Sequence, residues 1–106
     1  MTTIEIGSRV FTLINVFSCE PDKQQQLVSV LTDATEKTMK RMPGFISANI
    51  HRSFDGNRVV NYAQWKDKAS FEAMRKHPDA APHMQASAQL AKFDPITCEV
   101  VESISE

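Results

Sequence analysis

The chain of 106 residues is 42% hydrophobic and 24% charged, and its formal net charge is −1. This length and composition are typical of one globular domain with a single core, and the near-neutral charge favours neither a nucleic-acid partner nor an anionic membrane surface. No apolar run is long enough to span a membrane, and the first nine residues lack the basic and apolar stretches of a secretion signal. We therefore expect a cytoplasmic protein.

The first half of the chain predicts a loose arm, a buried strand and a long helix. Residues 1–8 have no apolar periodicity and predict the arm. Val10–Phe17 is almost continuously apolar, as in a buried inner strand, and Asn15 stands out within it because an unpaired amide is costly to bury. Beyond Pro21, apolar residues recur every three or four positions, which predicts an amphipathic helix of roughly twenty residues that Pro43–Gly44 ends.

The second half predicts a hairpin, two helices and a final strand. An Asp-Gly pair in the turn favours the hairpin, Asp67 is the expected N-cap of the following helix, and Phe93–Pro95 is read as a break. In chain order, the predicted elements are the strands Phe45–Ser53 and Val59–Trp65, the helices Asp67–His77 and Asp79–Leu90, and the strand Ile96–Ile104.

This order, βαββααβ, is that of a ferredoxin-like α+β plait, in which four antiparallel strands carry their helices on one face. The opposite face would then expose Ile14, Val16, Val60 and Tyr62, which together are too apolar to face water. A second copy packed sheet against sheet would cover them, so the pattern predicts a homodimer.

The strand Val59–Trp65 is the strongest candidate for a functional element. Alternation places Asn61, Ala63 and Trp65 on one face, with a small residue between an amide and an indole N–H. Such a row suits the floor of a small-molecule pocket. The alternative is an ordinary central strand whose tryptophan packs in the core and whose asparagine is satisfied by neighbouring backbone.

Several of these features coincide in one family. The Pro-Gly-Phe entry to the second strand, the Asp-Gly hairpin and the strand Val59–Trp65 followed by the Phe71 helix resemble the antibiotic biosynthesis monooxygenase superfamily, so residues 1–106 would form one such domain. The string Val-Val-Asn-Tyr-Ala-Gln-Trp is similar to that of the small anthrone oxygenases of aromatic polyketide pathways. This resemblance implies a dimeric α+β barrel without metal, flavin or haem, and it makes Asn61 and Trp65 active-site residues.

The chain departs from that pattern at two places. Phe71 stands where those oxygenases have a tyrosine, which removes a phenol. They also carry an arginine on the following helix, whereas here no Lys or Arg lies between Lys76 and Lys92, and the region offers His83 and Met84 instead.

The implied reaction is oxidation of a polycyclic aromatic substrate, of the anthrone or quinol type, by O₂. A substrate that loses a proton becomes an electron-rich enolate able to reduce O₂, so it does the work of a cofactor. Asn61 and Trp65 would donate hydrogen bonds to the oxyanion, and His83 would take or return the proton. The residues expected to contact the substrate are Asn15, Phe17, Ala63, Phe71, Met74 and Met84.

Two other functions stay open. Haem-degrading monooxygenases resemble the chain through Asn15 and through a haem-ligating histidine at His83, although Met74 occupies the position of their tryptophan. A non-catalytic dimer that binds a small hydrophobic molecule is the third interpretation, and the missing tyrosine and arginine favour it.

The chain carries no metal-binding pattern. Cys19 and Cys98 are far apart and form no CxxC motif, so we expect both to be free and to behave as small apolar side chains. A disulfide between them is the alternative if the first and last strands pair, although a reducing compartment disfavours it.

Overall fold

The computed structural model describes residues 1–7 and 9–106, and it contains one antiparallel sheet with the strand order β2-β3-β1-β4. Three α-helices lie on one face of this sheet. This is the predicted ferredoxin-like α+β fold, and its elements in chain order are β1 (Phe11–Cys19), α1 (Gln24–Lys37), β2 (Phe45–Arg52), β3 (Arg58–Trp65), α2 (Lys68–Lys76), α3 (Ala81–Leu90) and β4 (Ala91–Cys98).

The helix ends follow local chemistry. The long helix predicted after Pro21 is α1 with a short 3₁₀ turn on each side, Pro21–Lys23 and Met39–Arg41. Asp67 caps α2 as predicted, because its Oδ1 accepts a hydrogen bond from the Ser70 backbone N–H at 2.8 Å. The hydrogen bonds from Ser70 lower the pKa of the Asp67 carboxyl from its ordinary value.

The predicted position of the last strand is wrong. The strand covers Ala91–Cys98, so it includes Phe93–Pro95, which the sequence predicted as a break, and residues 99–106 have no regular structure. The physical reason is that β4 is an edge strand and pairs only with β1. A proline is tolerated there, because one side of the strand has no neighbour that needs its missing N–H.

The register of β1 against β3 divides the helix-facing side of the sheet into two apolar groups with a polar pair between them. We call these groups the Trp65 cluster (Leu13, Ala63, Trp65, Phe71) and the Leu27 cluster (Phe17, Leu27, Val59). Along this face the cross-strand partners are Phe11 with Trp65, Leu13 with Ala63, Asn15 with Asn61, and Phe17 with Val59.

The N-terminal arm contacts the other face of the sheet. Residues 1–7 contain no helix or strand, and Ser8 of the predicted arm lies outside the described residues. Thr2 Oγ1 donates to Asn49 Oδ1 at 2.8 Å, and Gln64 Nε2 donates to the Thr3 carbonyl at 2.8 Å. The arm is therefore fixed to β2 and β3 by hydrogen bonds. Among the described residues, no helix combines the length and hydrophobicity needed to cross a membrane.

Gly44, at the start of β2, generates a stability prediction. Its φ is +86°, and a Cβ at this position would overlap the Ser70 side chain in the first turn of α2. We expect Gly44→Ala to lower the free energy of unfolding by about 2 kcal/mol or more, because strain at positive φ and a steric clash add. Urea unfolding measures this loss.

Gly7→Ala is the matched control. Gly7 also has a positive φ, of +77°, but a Cβ there meets nothing within 4 Å, so only backbone strain in the exposed arm remains. Equal losses for the two variants would contradict the importance of the contact between Gly44 and Ser70.

Candidate active site

A cavity of about 450 Å³ lies between the helix-facing side of the sheet and the three helices. This volume is in the range of small-molecule sites. All nine residues that the sequence predicted for the site line it, namely Asn15, Phe17, Asn61, Ala63, Trp65, Phe71, Met74, His83 and Met84. The structure thus brings together residues from β1, β3, α2 and α3 around one space.

The polar floor of the cavity is the cross-strand pair of Asn15 and Asn61. The Oδ1 atoms of both side chains are buried, and neither has a hydrogen-bond partner in the described part of the chain. A buried carbonyl without a partner costs stability, and most such groups in proteins are satisfied. Both residues line the cavity, so its floor carries an energetic cost that an apolar floor would avoid.

Trp65 both packs in the core and lines the cavity. Its side chain is 2% exposed, and its ring meets Phe45 edge-on with ring centroids 5.4 Å apart and Phe71 with centroids 6.4 Å apart. The two interpretations of this residue are therefore compatible. The aromatic neighbours hold the indole against the cavity without using its N–H as a donor.

The remaining walls are mostly apolar. Ala63 is 3% exposed, and its methyl group leaves the space that a larger side chain would fill. Phe71 packs against Phe11 with ring centroids 5.3 Å apart. The centroids of the Phe17 and Phe93 rings lie 6.1 Å apart. Such walls exclude water and strengthen the electrostatic interactions of the polar groups on the floor.

His83 enters the cavity from the first turns of α3. Its Nε2 lies 2.9 Å from Thr38 Oγ1, at the C-terminal end of α1. This hydrogen bond fixes the imidazole ring relative to α1. Within the described residues, Nδ1 has no hydrogen-bond partner, so this nitrogen remains free for a proton or a ligand.

The sequence interpretation missed the charged part of the lining. Lys68, Glu72 and Arg75 of α2 all line the cavity. Their signal was present, because these positions share one helix face with Phe71, a predicted site residue. On β4, Phe93 and Pro95 were missed because the predicted strand began only at Ile96. Thr97 lies within the predicted strand but was not recognised as facing the cavity.

Metal-binding side chains do not cluster in the described part of the chain. Among residues 1–7 and 9–106, no cluster of three or more His, Cys, Asp or Glu side chains could hold a metal ion. Cys19 and Cys98 are both free, as predicted. Burial raises the pKa of the Cys19 thiol, which keeps it in its less reactive protonated form.

A helix-covered ferredoxin-like sheet around a mostly apolar cavity with an amide floor defines an α+β domain with room for a small molecule. Residues 10–89 match the model of one family in particular, the antibiotic biosynthesis monooxygenases. The chain belongs to this family. It is also 45% identical, over 103 residues, to the tetracenomycin-F1 monooxygenase of Streptomyces glaucescens, a match that covers 97% of this chain and 92% of that protein.

Solved structures of other proteins have the same fold. The monooxygenase ActVA-Orf6 of Streptomyces coelicolor, in complex with nanaomycin D, superposes with a TM-score of 0.83 at 27% identity and with 91% of each chain covered. A variant of SnoaB, a cofactor-independent oxygenase from Streptomyces nogalater, has a TM-score of 0.83 at 23% identity, over 92% of this chain and 99% of that one. The similarity to SnoaB, at 23% identity, shows a shared fold and nothing more.

The unpartnered Asn61 carbonyl generates a prediction on stability. Asn61→Leu should raise the free energy of unfolding by roughly 1 kcal/mol, because a side chain of similar size replaces a buried amide whose Oδ1 has no partner. Urea unfolding of the ligand-free protein measures the change.

The control is Asn49→Leu on the neighbouring strand. Asn49 Nδ2 donates to the Tyr62 carbonyl at 3.0 Å and its Oδ1 accepts from Thr2, so its removal should lower stability. If Asn61→Leu destabilised the protein as much as Asn49→Leu, the Asn61 amide would be a satisfied structural group.

Proposed function

We propose that this protein is a cofactor-independent monooxygenase that oxidises a polycyclic aromatic substrate of the anthrone or quinol type with O₂. The observation that carries the proposal is the pair of facing amides, Asn15 and Asn61, on the floor of a cavity with mostly apolar walls that Trp65 also lines. An aromatic ring system with phenolic or carbonyl oxygens is complementary to such a cavity, because its faces are apolar and its edges are polar.

The polar groups of the floor orient the substrate. Each asparagine amide carries two donor hydrogens on Nδ2, so the floor can donate to a carbonyl or phenolate oxygen of the substrate. The indole N–H of Trp65 adds a donor. When the substrate loses a proton, negative charge develops on its oxygen, and donors from Asn61 and Trp65 stabilise that charge more strongly than they stabilise the neutral ground state.

The substrate supplies all the electrons for O₂. A base takes one proton from the methylene carbon, and the enolate passes one electron to O₂. The resulting radical and superoxide join in a C–O bond, and the peroxide takes up a proton. Loss of the second C–H proton with cleavage of the O–O bond then gives a carbonyl and water. His83 lines the same cavity and is our candidate for the group that accepts and returns the proton.

The names of the related proteins support this assignment. The 45% identical protein is named a monooxygenase of tetracenomycin F1, and the ActVA-Orf6 monooxygenase binds nanaomycin D. SnoaB is described as cofactor-independent, which agrees with the absence of a cofactor in our scheme. The hydrogen bond between His83 Nε2 and Thr38 Oγ1 would have to break before Nε2 could bind haem iron, and no specific observation favours the haem alternative.

Substitutions on the floor test the proposal. We expect Asn61→Ala and Trp65→Phe each to lower kcat on the order of a hundredfold, because each removes one donor to the developing oxyanion. Oxygen uptake with a hydroxylated anthrone, followed with an oxygen electrode, measures the rate.

The control for these variants is Asn57→Ala, which removes an exposed amide from the hairpin and should leave the rate unchanged. Normal oxygen uptake by both floor variants would refute the assigned roles. Tight binding of the anthrone without any oxygen uptake by the unmodified protein would favour the non-catalytic interpretation.

We also propose that the protein is a homodimer that packs through the face of the sheet opposite the helices. Ile14 and Val60 are only half-buried there, and Ile96, the β4 partner of Ile14, is 46% exposed. A second copy would cover the apolar side chains on this face.

A charge on this face should break the dimer. Ile96→Lys places an ammonium group at a site that is partly exposed in the single chain, so we expect the subunit to fold but to elute as a monomer in size-exclusion chromatography with light scattering. Phe54→Lys, which changes a fully exposed residue at the hairpin tip, is the control and should remain dimeric. A dimeric Ile96→Lys protein would place the interface elsewhere.

A further inference from the structure

One face of α2 brings charge to the cavity. Lys68, Phe71, Glu72 and Arg75 lie at the first, fourth, fifth and eighth positions of this helix, and all four line the cavity. Positions with this spacing share one side of a helix. Lys68 and Arg75 are exposed, whereas Phe71 is 4% exposed. The charges therefore lie where the cavity opens, and the aromatic ring lies inside.

Two neighbours hold the Arg75 guanidinium in place. Its central carbon lies 5.8 Å from the centroid of the Phe71 ring, an arrangement that favours cation–π attraction. Its Nη1 donates to both carboxylate oxygens of Glu72, at 3.1 Å and 3.2 Å. A guanidinium has five N–H donors on three nitrogens, so the donors on Nε and Nη2 remain without a partner among the described residues.

The charges around the opening do not balance. Lys68 and Arg75 are the two cations of the lining and Glu72 is its one acid, which leaves one positive charge when His83 is neutral. The rest of the lining is apolar or neutral. An apolar wall beside the guanidinium raises the strength of any ion pair formed there above that of a fully solvated pair.

We propose that Arg75 determines specificity by binding a carboxylate on the aromatic substrate at the opening of the cavity, with Lys68 adding positive charge. The planar fork of a guanidinium matches a carboxylate, and the two available nitrogens permit a bidentate contact. The Phe71 ring beneath the guanidinium is placed to contact the rings of the same ligand. This proposal depends on the proposed function at one point, which is the identification of the ligand as an aromatic substrate.

A binding experiment tests the proposal without turnover. Trp65 is the one tryptophan of the chain and lines the cavity, so quenching of its fluorescence reports a ligand bound there. The probes are anthracene-9-carboxylate and the neutral anthracene-9-methanol, which share the same ring system. We expect the acid to bind roughly tenfold more tightly, the size of one charge-assisted hydrogen bond.

Three variants separate the Arg75 contact from a general effect of charge. Arg75→Gln should remove the preference for the acid and leave binding of the alcohol unchanged. Lys76→Gln removes the same charge from the exposed neighbouring position, which does not line the cavity, and should keep the preference. Glu72→Gln frees Nη1 from its competing carboxylate, so it should tighten binding of the acid several-fold.

Equal affinities of the unmodified protein for the two probes would overturn the proposal, as would a preference for the acid that survives in Arg75→Gln. An equal loss in Arg75→Gln and Lys76→Gln would also overturn it, because net charge alone would then be the cause. Failure of oxygen uptake would refute the oxygenase proposal and leave these affinities untouched. Equal oxygen uptake with acidic and neutral anthrones would refute the role of Arg75 alone.

Discussion

The antiparallel register of β1 against β3 is the constraint on which the rest of this structure depends. It sets Asn15 directly opposite Asn61 on the side of the sheet that faces the helices. A slip of one residue in β1 or β3 turns every side chain of that strand to the opposite face, so it would move Asn15 or Asn61 to the outer face. Because Phe17 and Val59 form the next pair on the same face and are buried with Leu27, hydrophobic packing fixes the register that the polar pair requires.

The polar pair carries an energetic cost that the fold does not offset within the subunit. The Leu27 cluster lies on one side of the two amides and the Trp65 cluster on the other, and the carbonyl oxygens between them remain unpartnered. Leucine at both positions would join the clusters into one continuous core. Retention of buried polar groups that weaken a core is characteristic of functional sites, where stability is lower than the scaffold could reach.

The sequence predicted the order of the elements and the inward face of β3 because both depend on local patterns. Alternation along Val59–Trp65 requires no knowledge of other elements. The position of β4 was wrong because Pro95 is a strand breaker unless the strand lies at an edge, and edge position is a property of the whole sheet. Arg75 was missed for a related reason. The spacing from Phe71 indicates on which side of α2 Arg75 lies. A charged residue on a helix usually faces solvent, however, and this expectation hid its place beside a cavity.

Nuclear magnetic resonance of side-chain N–H groups tests the central claim most directly. The account predicts that titration with an anthraquinone shifts the amide signals of Asn15 and Asn61 and the single indole signal of Trp65, while the amide signal of Asn49 on the outer face stays in place. If the anthraquinone binds and these three signals do not move, or if the shifts occur on the outer face, the paired amides do not form the floor of a ligand site.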